Sequence, residues 1–388
     1  MLRSLYSGIS GLRSHQTMLD VTGNNIANVN TSGYKATAVQ FQDTLSQLTQ
    51  GATAPGADAG GGNPAQVGLG VQVAGISTNF AQGSAQATGR GTDMMIDGDG
   101  FFVTRQGGQT QYTRAGSFNV DASGRLVTAD GSLVQGWGAA DGVVAAGGAL
   151  TDLTIPSGAI APAAATTNAA LTGNLPEDAD PGTKLVRDLE VFNANGESSS
   201  LPVTFTRTAD GWDVSAKDAT TVPLAFTAGK LNAPADAVLT VGGVAVDLSA
   251  ITGYADVDTV AVSSQNGRSA GTLDSWSMAA DGTLVGSFSN GSKQALGRIV
   301  LAGFTNPGGL EKIGGSSYVA TANSGAAVVG GPGVGGNGAV AAGSLEMSNV
   351  DLSQEFTNLI VAQRGFQANA RIITTSDEVL QELTNLKR

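Results

Sequence analysis

The two ends of this chain carry the same spacing of apolar residues, and this repeat constrains the fold more than any other feature. At both ends apolar side chains recur at alternating steps of three and four residues. Such spacing places them on one face of a helix and, when it is sustained, is typical of a coiled coil. The predicted seam residues are Leu5, Ile9, Leu12, Leu19 and Ile26 in the first helix and Leu352, Phe356, Leu359, Phe366, Ile373 and Leu380 in the second.

The two predicted helices differ in length. The first ends in the Asn-rich stretch before Gly33, because Asn and Gly favour helix caps and turns. The second starts after Asp351, which is followed three residues later by Gln354, as in a capping box. It runs for about 35 residues, or roughly 50 Å. A shorter partner would leave part of its seam uncovered, so we expect other copies of the chain to bury it. An ordinary helix pair within one chain is the alternative.

Between the helices the apolar period changes to that of strands. Short apolar runs alternate with turn signals from Val67 to about Trp137, and similar patterns follow at 184–262 and 273–321. Asp97-Gly98-Asp99-Gly100 and Asp281-Gly282 are typical of tight turns. This pattern favours antiparallel sheets or barrels.

These patterns predict an α+β multidomain fold, with a terminal α-helical coiled coil and discontinuous, nested, mainly β domains. The predicted domains are residues 1–35 with 343–388 (terminal helical core), 36–66 (linker), 67–149 with 273–324 (inner β domain), 150–272 (inserted outer β domain) and 325–342 (Gly-rich linker).

Composition excludes several kinds of chemistry. The 388 residues include no Cys and one His, which rules out disulfides, thiolate nucleophiles and His-based triads. The only histidine, His15, lies off the predicted seam, which favours a solvated or interfacial position. We therefore predict no enzyme activity, no cofactor and no metal site. The G-x-G-x-x-G string at Gly333–Gly338 has neither the strand before it nor the helix after it that a nucleotide site needs, so it is interpreted as linker.

Charge bears on the partners. The formal net charge is −12, and residues 150–275 hold 15 acidic and 6 basic residues. An acidic surface argues against nucleic acid, which needs clustered Lys and Arg. The sequence has no apolar run of about 18 residues and no secretory signal, so we predict no membrane insertion.

Motifs at both ends resemble those of the bacterial flagellar rod and hook axial proteins. They are Met1–Leu12, Asp20–Asn28, Thr31–Lys35, Gly343–Ser353 and Ile360–Asn369. Val67–Ile76, and Phe304–Leu310 with Tyr318, look like the hook branch of that family. The residues that match the family motif are Asn24, Asn25, Ala27, Asn28, Gly33, Tyr34, Gln363, Arg364 and Asn369.

The resemblance implies a tubular homo-oligomer. Terminal helices would line its inner core, and the β domains would form the outer layers. As a hook, the tube would be a flexible universal joint that transmits torque from the motor and rod to the filament. The implied partners are the rod tip, the hook cap, the hook–filament junction proteins and the flagellar type III export apparatus. The implied location is the extracellular flagellum, reached without a cleavable signal peptide.

Two alternatives remain. A distal rod subunit of the same family shares the terminal motifs but typically lacks an added outer domain. A surface adhesin needs exposed aromatic platforms, yet the chain has only three Trp and five Tyr.

Overall fold

The computed structural model describes residues 2–56, 60–156, 158–217, 219–234 and 237–386. Helix α1 spans Leu2–Ala27, helix α2 spans Leu352–Asn385, and a single 3-10 turn occupies Pro307–Gly309. The other regular elements of the described residues are strands, so the prediction of terminal helices enclosing nested, mainly β domains is confirmed. Within the described residues, no helix is long and apolar enough to cross a membrane.

The strands are numbered in chain order. In the first third of the chain they are β1 (Thr37–Asp43), β2 (Ser46–Gln50), β3 (Ala65–Gly68), β4 (Val71–Thr78), β5 (Ala85–Ala87), β6 (Met94–Asp97), β7 (Phe101–Gln106), β8 (Gln109–Thr113), β9 (Asn119–Val120), β10 (Leu126–Val127), β11 (Leu133–Ala140), β12 (Val143–Val144) and β13 (Thr151–Asp152). They continue as β14 (Ile160–Ala161), β15 (Asn168–Asn174), β16 (Lys184–Phe192), β17 (Ser198–Arg207), β18 (Trp212–Ala216), β19 (Val222–Thr227), β20 (Lys230–Ala233), β21 (Val238–Val241), β22 (Val244–Thr252) and β23 (Ala261–Gln265). The last are β24 (Gly271–Met278), β25 (Thr283–Phe288), β26 (Lys293–Ile299), β27 (Leu301–Gly303), β28 (Glu311–Gly314), β29 (Ser317–Val319), β30 (Val328–Gly330), β31 (Ala339–Ala342) and β32 (Ser344–Glu346).

The chain folds into two compact units, and the second is inserted into the first. The first unit comprises Met1–Pro156, Ser277–Val285 and Ala295–Arg388, and the second comprises Ser157–Trp276 and Gly286–Gln294. Both units are therefore discontinuous in sequence. The finer boundaries given above, which separate a helical core from an inner β domain, stay a prediction.

The first unit contains an antiparallel sheet in the order β26-β11-β7-β8-β29-β28. Its core is aromatic and includes Phe101, Tyr112, Trp137 and Tyr318. The predicted turn before β7 is present, and its Gly98 and Gly100 have φ angles of 112° and 123°. Only glycine adopts this region of φ without strain, so the two glycines set the position at which Phe101 enters the core.

The second unit contains a sheet in the order β16-β17-β18-β19-β20-β22-β15-β23. Its strands are antiparallel except for β15 and β22, which run parallel. Alternate side chains of these strands are buried and form a closed core of mainly Leu, Val and aromatic residues. Trp212 is the largest of these side chains, and it is 1% exposed.

Residues 36–66, predicted to be linker, contain strands. β1 pairs with β4, and β2 pairs with β3, so the chain forms a two-stranded antiparallel ribbon. In β1 only Val39 and Phe41 alternate with polar residues, which is too short a pattern to identify a strand. β1 also contacts α1, since the Phe41 ring centroid lies 5.9 Å from that of His15. A local sequence pattern does not show this contact. The predicted Gly-rich linker at 325–342 likewise contains β30 and β31.

Candidate assembly site

The two terminal helices pack against each other in antiparallel orientation. Gly8 and Gly11 of α1 face Asn369 of α2, and His15 faces Gly365. A Cβ atom added at Gly11 would lie 2.7 Å from the Asn369 side chain, and one added at Gly365 would lie 2.5 Å from the His15 ring. The glycines therefore allow the helices to approach closely, and His15 has the interfacial position that the sequence favours.

The face that α1 buries is not its predicted apolar seam. Among its described side chains and glycines, the buried residues are Gly8, Gly11, Ser14, Thr22 and Asn25. This set is small and polar, and it is rotated by about one residue from the leucine seam. The seam residues Leu5, Leu12, Leu19 and Ile26 are half-buried, and Ile9 is 39% exposed. A close helix pair needs small side chains at the contact, which explains why the leucines lie beside it rather than in it.

Helix α2 leaves most of its apolar surface uncovered. It has 34 residues against 26 in α1, and its buried residues among those described are Glu355 and Ala362. Phe356 is 52% exposed and Phe366 is 37% exposed. Of the other predicted seam residues, Leu352 is exposed, whereas Leu359, Ile373 and Leu380 are half-buried.

The uncovered apolar surface extends beyond the predicted seam. Further apolar side chains lie exposed on α2, namely Ile360, Val361, Ile372, Val379 and Leu383. Ile360 lies one turn from Phe356 and widens the seam, whereas the other four lie on the opposite side of the helix and form a second stripe. The heptad template selects only the first stripe. Exposed apolar stripes of this kind are normally covered by another protein surface.

Asn25 joins α1 to three other segments. Its Nδ2 donates to the Thr37 carbonyl at 2.7 Å and to Glu355 Oε1 at 3.0 Å. Its Oδ1 accepts from the Thr37 backbone N–H at 3.1 Å and from the Tyr34 hydroxyl at 3.0 Å. One buried amide thus connects the end of α1 with the loop that contains Tyr34, the start of the ribbon and the first turn of α2.

Other motif residues shape the end of α1. Asn28 Nδ2 donates to the Asn24 carbonyl at 2.9 Å, and the Tyr34 hydroxyl donates to Asn24 Oδ1 at 2.9 Å. Gly33 has a φ of +67°, and a Cβ atom there would lie 2.5 Å from the Ala115 nitrogen. This close approach allows only glycine, which accounts for its place in the motif.

The remaining motif residues lie mainly on helix surfaces. Ala27 is exposed at the end of α1, and Gln363 and Arg364 are exposed on α2. Asn369 donates from Nδ2 to the Gly365 carbonyl at 2.9 Å and packs against Gly11. Asp351 caps α2 as predicted, since its carboxylate accepts from the Ser353 and Gln354 backbone N–H groups.

A buried ion pair lies beside the Asn25 contacts. Lys35 Nζ donates to Glu346 Oε1 at 2.6 Å and to the Ala81 carbonyl at 2.8 Å, and both charged side chains have zero exposure. Glu346 Oε1 also accepts from the Gly83 backbone N–H at 2.9 Å, and Arg114 Nη1 lies 3.6 Å from Glu346 Oε2. Burial lowers the pKa of Lys35, and its hydrogen bond to Glu346 opposes that shift. The sequence gives no sign of this pair, because the two residues are 311 positions apart.

Together, the Asn25 contacts and the Lys35–Glu346 pair form what we call the polar junction (Asn25, Tyr34, Lys35, Arg114, Glu346 and Glu355). It connects both ends of the chain to the β part of the first unit. Its paired buried groups hold one arrangement, because each lost partner leaves an uncompensated group. Arg114 Nε and Glu346 Oε2 are buried without a hydrogen-bond partner among the described residues.

Comparisons with known proteins match three parts of the chain to family models. Residues 5–35 match the flagella basal body rod protein, residues 95–170 the flagellar hook protein FlgE/F/G D1 domain, and residues 341–386 the flagellar basal body rod FlgEFG protein C-terminal region.

Curated relatives match over the full chain. The chain is 40% identical to the flagellar hook protein FlgE of Borreliella burgdorferi, with 100% of both chains covered. It is 36% identical to the flagellar basal-body rod protein FlgG of Bacillus subtilis, again with 100% of both chains covered. Among solved structures it is similar to the Helicobacter pylori flagellar hook protein FlgE2, with a TM-score of 0.48, 15% identity, and 66% of this chain and 98% of that chain covered.

Proposed function

This chain belongs to the flagellar rod and hook family of axial structural proteins, and from that premise we propose that it is the hook subunit. In this role it assembles into a tubular helical polymer that acts as a flexible universal joint and transmits torque from the motor and rod to the filament. A distal rod subunit of the same family is the alternative, and the rod relative at 36% identity keeps it open. The inserted second unit, with its own core, favours the hook.

The exposed apolar face of α2 is the observation that carries this proposal. Its members include Phe356, Ile360 and Phe366, each more than a third exposed. Burying such a side chain contributes about 1.5–3 kcal/mol, so neighbouring copies that cover the face supply a large driving force for assembly. A helical polymer covers it on every copy except those at the ends.

The polar junction supports the transmission of torque. Torque applied to the terminal helices reaches the β part of the first unit only through connections that resist bending. The Lys35–Glu346 pair and the Asn25 contacts are such connections, because they are buried and directional. The acidic second unit supports flexibility, since polar contacts between copies exchange more readily than interlocked apolar ones.

We further propose the partners and the location that this role requires. The subunit is exported by the flagellar type III apparatus and assembles outside the cell under a hook cap. The finished tube meets the rod tip at one end and the hook–filament junction proteins at the other.

Removal of either terminal helix tests the proposal. Chains that lack residues 1–28 or 350–388 should form no tubes by negative-stain electron microscopy, and circular dichroism should still show folded β structure. Tubes from either truncated chain would refute the assigned assembly surface. The shape of the full-length tubes separates the two candidate functions, since curved tubes indicate a hook and straight, stiff tubes indicate a rod.

A further inference from the structure

One short segment of the first unit is joined to the rest of that unit by few apolar contacts. We call residues 339–351 the strap; it contains β31 and β32 and ends at the residue that caps α2. Among the described strands, β31 pairs with β6 alone and β32 with β5 alone, so each forms a two-stranded sheet apart from the main sheet. The buried side chains of the strap are Val340 and Glu346, at 2% and 1% exposure. Two short strand pairs and one buried apolar side chain give little stability by themselves.

The strap holds the segment between α1 and the ribbon at three points. The Glu346 carbonyl accepts from the Gly33 backbone N–H at 2.8 Å, and the Glu346 carboxylate accepts from Lys35 Nζ at 2.6 Å. Asn349 Oδ1 accepts from the Ala36 backbone N–H at 2.8 Å. This segment joins the end of α1 to β1, so the three hydrogen bonds fix the direction in which the ribbon leaves the helix.

Glu346 supplies the negative charge that the surface under the strap needs. The Lys35 side chain has zero exposure, and Arg114 is 2% exposed. In the part of the chain that the structure describes, Glu346 is the only carboxylate that forms an ion pair with either cation. If the strap moves away, both cations lose this partner, and the Gly83 backbone N–H loses its acceptor. Because an unpaired buried charge is strongly unfavourable, Glu346 holds the strap closed.

The strap also leads directly into α2. Its last residue, Asp351, accepts hydrogen bonds from the first backbone N–H groups of that helix. Glu355, in the first turn of α2, accepts from Asn25 near the end of α1 at 3.0 Å. A closed strap therefore brings the start of α2 to the end of α1.

A glycine-rich turn precedes the strap and is loosely packed. Gly333, Gly335 and Gly336 have φ angles of 73°, 67° and 89°, and no atom lies within 4 Å of a Cβ atom added at any of them. Glycine adopts such angles without strain and leaves the backbone free to rotate. The strap is thus bounded by a pliable turn on one side and by α2 on the other, which lets it separate from β5 and β6 as a unit.

We propose that the strap opens and closes as a unit, that Glu346 holds it closed, and that its closure sets the directions of the ribbon and of α2 relative to α1. Closure is a property of a single copy and does not depend on the proposed function. Its consequence for assembly does rest on that function: only a copy with a closed strap presents both helices in the arrangement that a tube requires.

A disulfide that holds the strap closed tests this coupling, because the chain has no Cys of its own. Gln86 and Leu345 are directly opposite each other in β5 and β32, at a spacing that a disulfide can span. In the full-length Q86C/L345C monomer, oxidation should slow hydrogen exchange about tenfold or more in residues 339–351 and also in residues 33–43, relative to the reduced protein. Exchange in residues 101–113, which form β7 and β8, should not change.

The control and the contrary results for this test are specific. V186C/T204C joins opposite residues of β16 and β17 in the second unit, and its oxidation should leave residues 33–43 unaffected. If oxidation of Q86C/L345C slows exchange in the strap but not in residues 33–43, the two segments open independently and the proposal is wrong. Equal slowing in residues 101–113 would also overturn it, because the strap would then open only when the whole unit unfolds.

Glu346→Gln tests the role of the charge without a cross-link. Glutamine keeps the size of the side chain and an acceptor for the Gly83 N–H, but it removes the negative charge. Exchange in residues 33–43 and 339–351 should rise about tenfold or more relative to Glu311→Gln, a control at an exposed glutamate. Equal exchange in the two variants would show that Glu346 does not hold the strap closed.

Tube formation tests the consequence for assembly. Glu346→Gln should need a concentration about tenfold or more above that of Glu311→Gln to form tubes, and equal thresholds would overturn this consequence. Absence of tubes from the unmodified chain would overturn the hook proposal, whereas the exchange measurements on single copies would still decide whether the strap exists.

Discussion

The second unit and the terminal helix pair differ in how they bury their apolar side chains. Leu171, Leu189 and Phe205 of the second unit have zero exposure, so that unit closes a core of its own. Helix α2, by contrast, buries only Glu355 and Ala362 among its described residues and leaves two phenylalanines more than a third exposed. The second unit thus carries its own stability, whereas the helices depend on their surroundings.

Within one chain, small-residue packing and polar contacts hold the helices in place. Gly8, Gly11 and Gly365 allow close approach, and Asn25 and Lys35 connect the helices to the β part. The close packing reaches Ile372 and Ile373 at Gly8, but it leaves Phe356, Ile360 and Phe366 exposed. Those three side chains are therefore free for other copies while the helices stay oriented, which is the combination that ordered assembly needs.

The largest expected effect comes from placing a charge on the apolar face. Phe366→Asp should abolish tube formation, because a carboxylate buried between copies costs several kcal/mol. The folded monomer should change little, since Phe366 is 37% exposed in it. Electron microscopy with circular dichroism separates the two effects. Gln367→Asp, also on an exposed position of α2, is the matched control and should assemble. If Phe366→Asp forms normal tubes, the apolar face of α2 is not buried between copies, and the contrast with the second unit fails.

The second largest effect is expected from a substitution in the polar junction. Lys35→Met leaves Glu346 buried without its main partner and should destabilise the first unit by about 3–5 kcal/mol. Hydrogen exchange measured by peptide should show the loss in segments near Glu346 and no change in the second unit. The double variant Lys35→Met/Glu346→Gln should recover part of the loss, because it neutralises the carboxylate that lost Lys35 and keeps an acceptor for the Gly83 backbone N–H. A loss below about 1 kcal/mol would show that the pair is not a strong connection.

Trp212→Ala provides the converse test. Removing this 1%-exposed side chain should cost the second unit about 3–5 kcal/mol through loss of packing. Peptide-resolved hydrogen exchange should place the change in β17 to β19, and the protection of α1 and α2 should stay the same. Loss of protection in the helices would mean that they draw stability from the second core after all.

The smallest effects are expected in the contact between the helices. Gly365→Ala would place a Cβ atom 2.5 Å from the His15 ring, so the ring must move, at a cost of about 1–3 kcal/mol. Gly23→Ala is the control, because no atom lies within 4 Å of the added Cβ there. That change should stabilise α1 by about 0.5–1 kcal/mol. The unfolding temperatures of the two variants, monitored by the helical circular dichroism signal, compare the two changes. Equal shifts of the unfolding temperature would argue against close packing at Gly365.

The sequence predicts the terminal helices well, because their apolar spacing and their ends are local signals. Asp351 does cap α2, and α1 does end within the Asn-rich stretch, at Ala27. The contact face of α1 is missed because the spacing rule selects leucines, whereas close packing selects the glycines one position away. The Gln354 side chain donates from Nε2 to Asn358 Oδ1, one turn further along α2. A complete capping box would instead have the Gln354 side-chain oxygen accept from the Asp351 backbone N–H.

The polar junction and the ribbon could not be predicted in the same way. Lys35 and Glu346 meet only after the whole chain has folded, and no local pattern connects them. Asn25 and Tyr34 are identified as motif residues, yet their hydrogen bonds follow from the backbone path at residues 33–37. β1 and β2 have one neighbouring strand each and few apolar residues, so their pattern resembles that of a linker.

The most direct test of the central claim is hydrogen exchange of the same protein before and after assembly. The account predicts that peptides covering Phe356–Ile373 gain at least a hundredfold protection in the tube, because other copies cover the apolar face of α2. Peptides covering Leu201–Ala216 should keep the protection that they already have in the monomer. If the α2 peptides exchange equally in monomer and tube, the apolar face is not the assembly surface and the central claim is wrong.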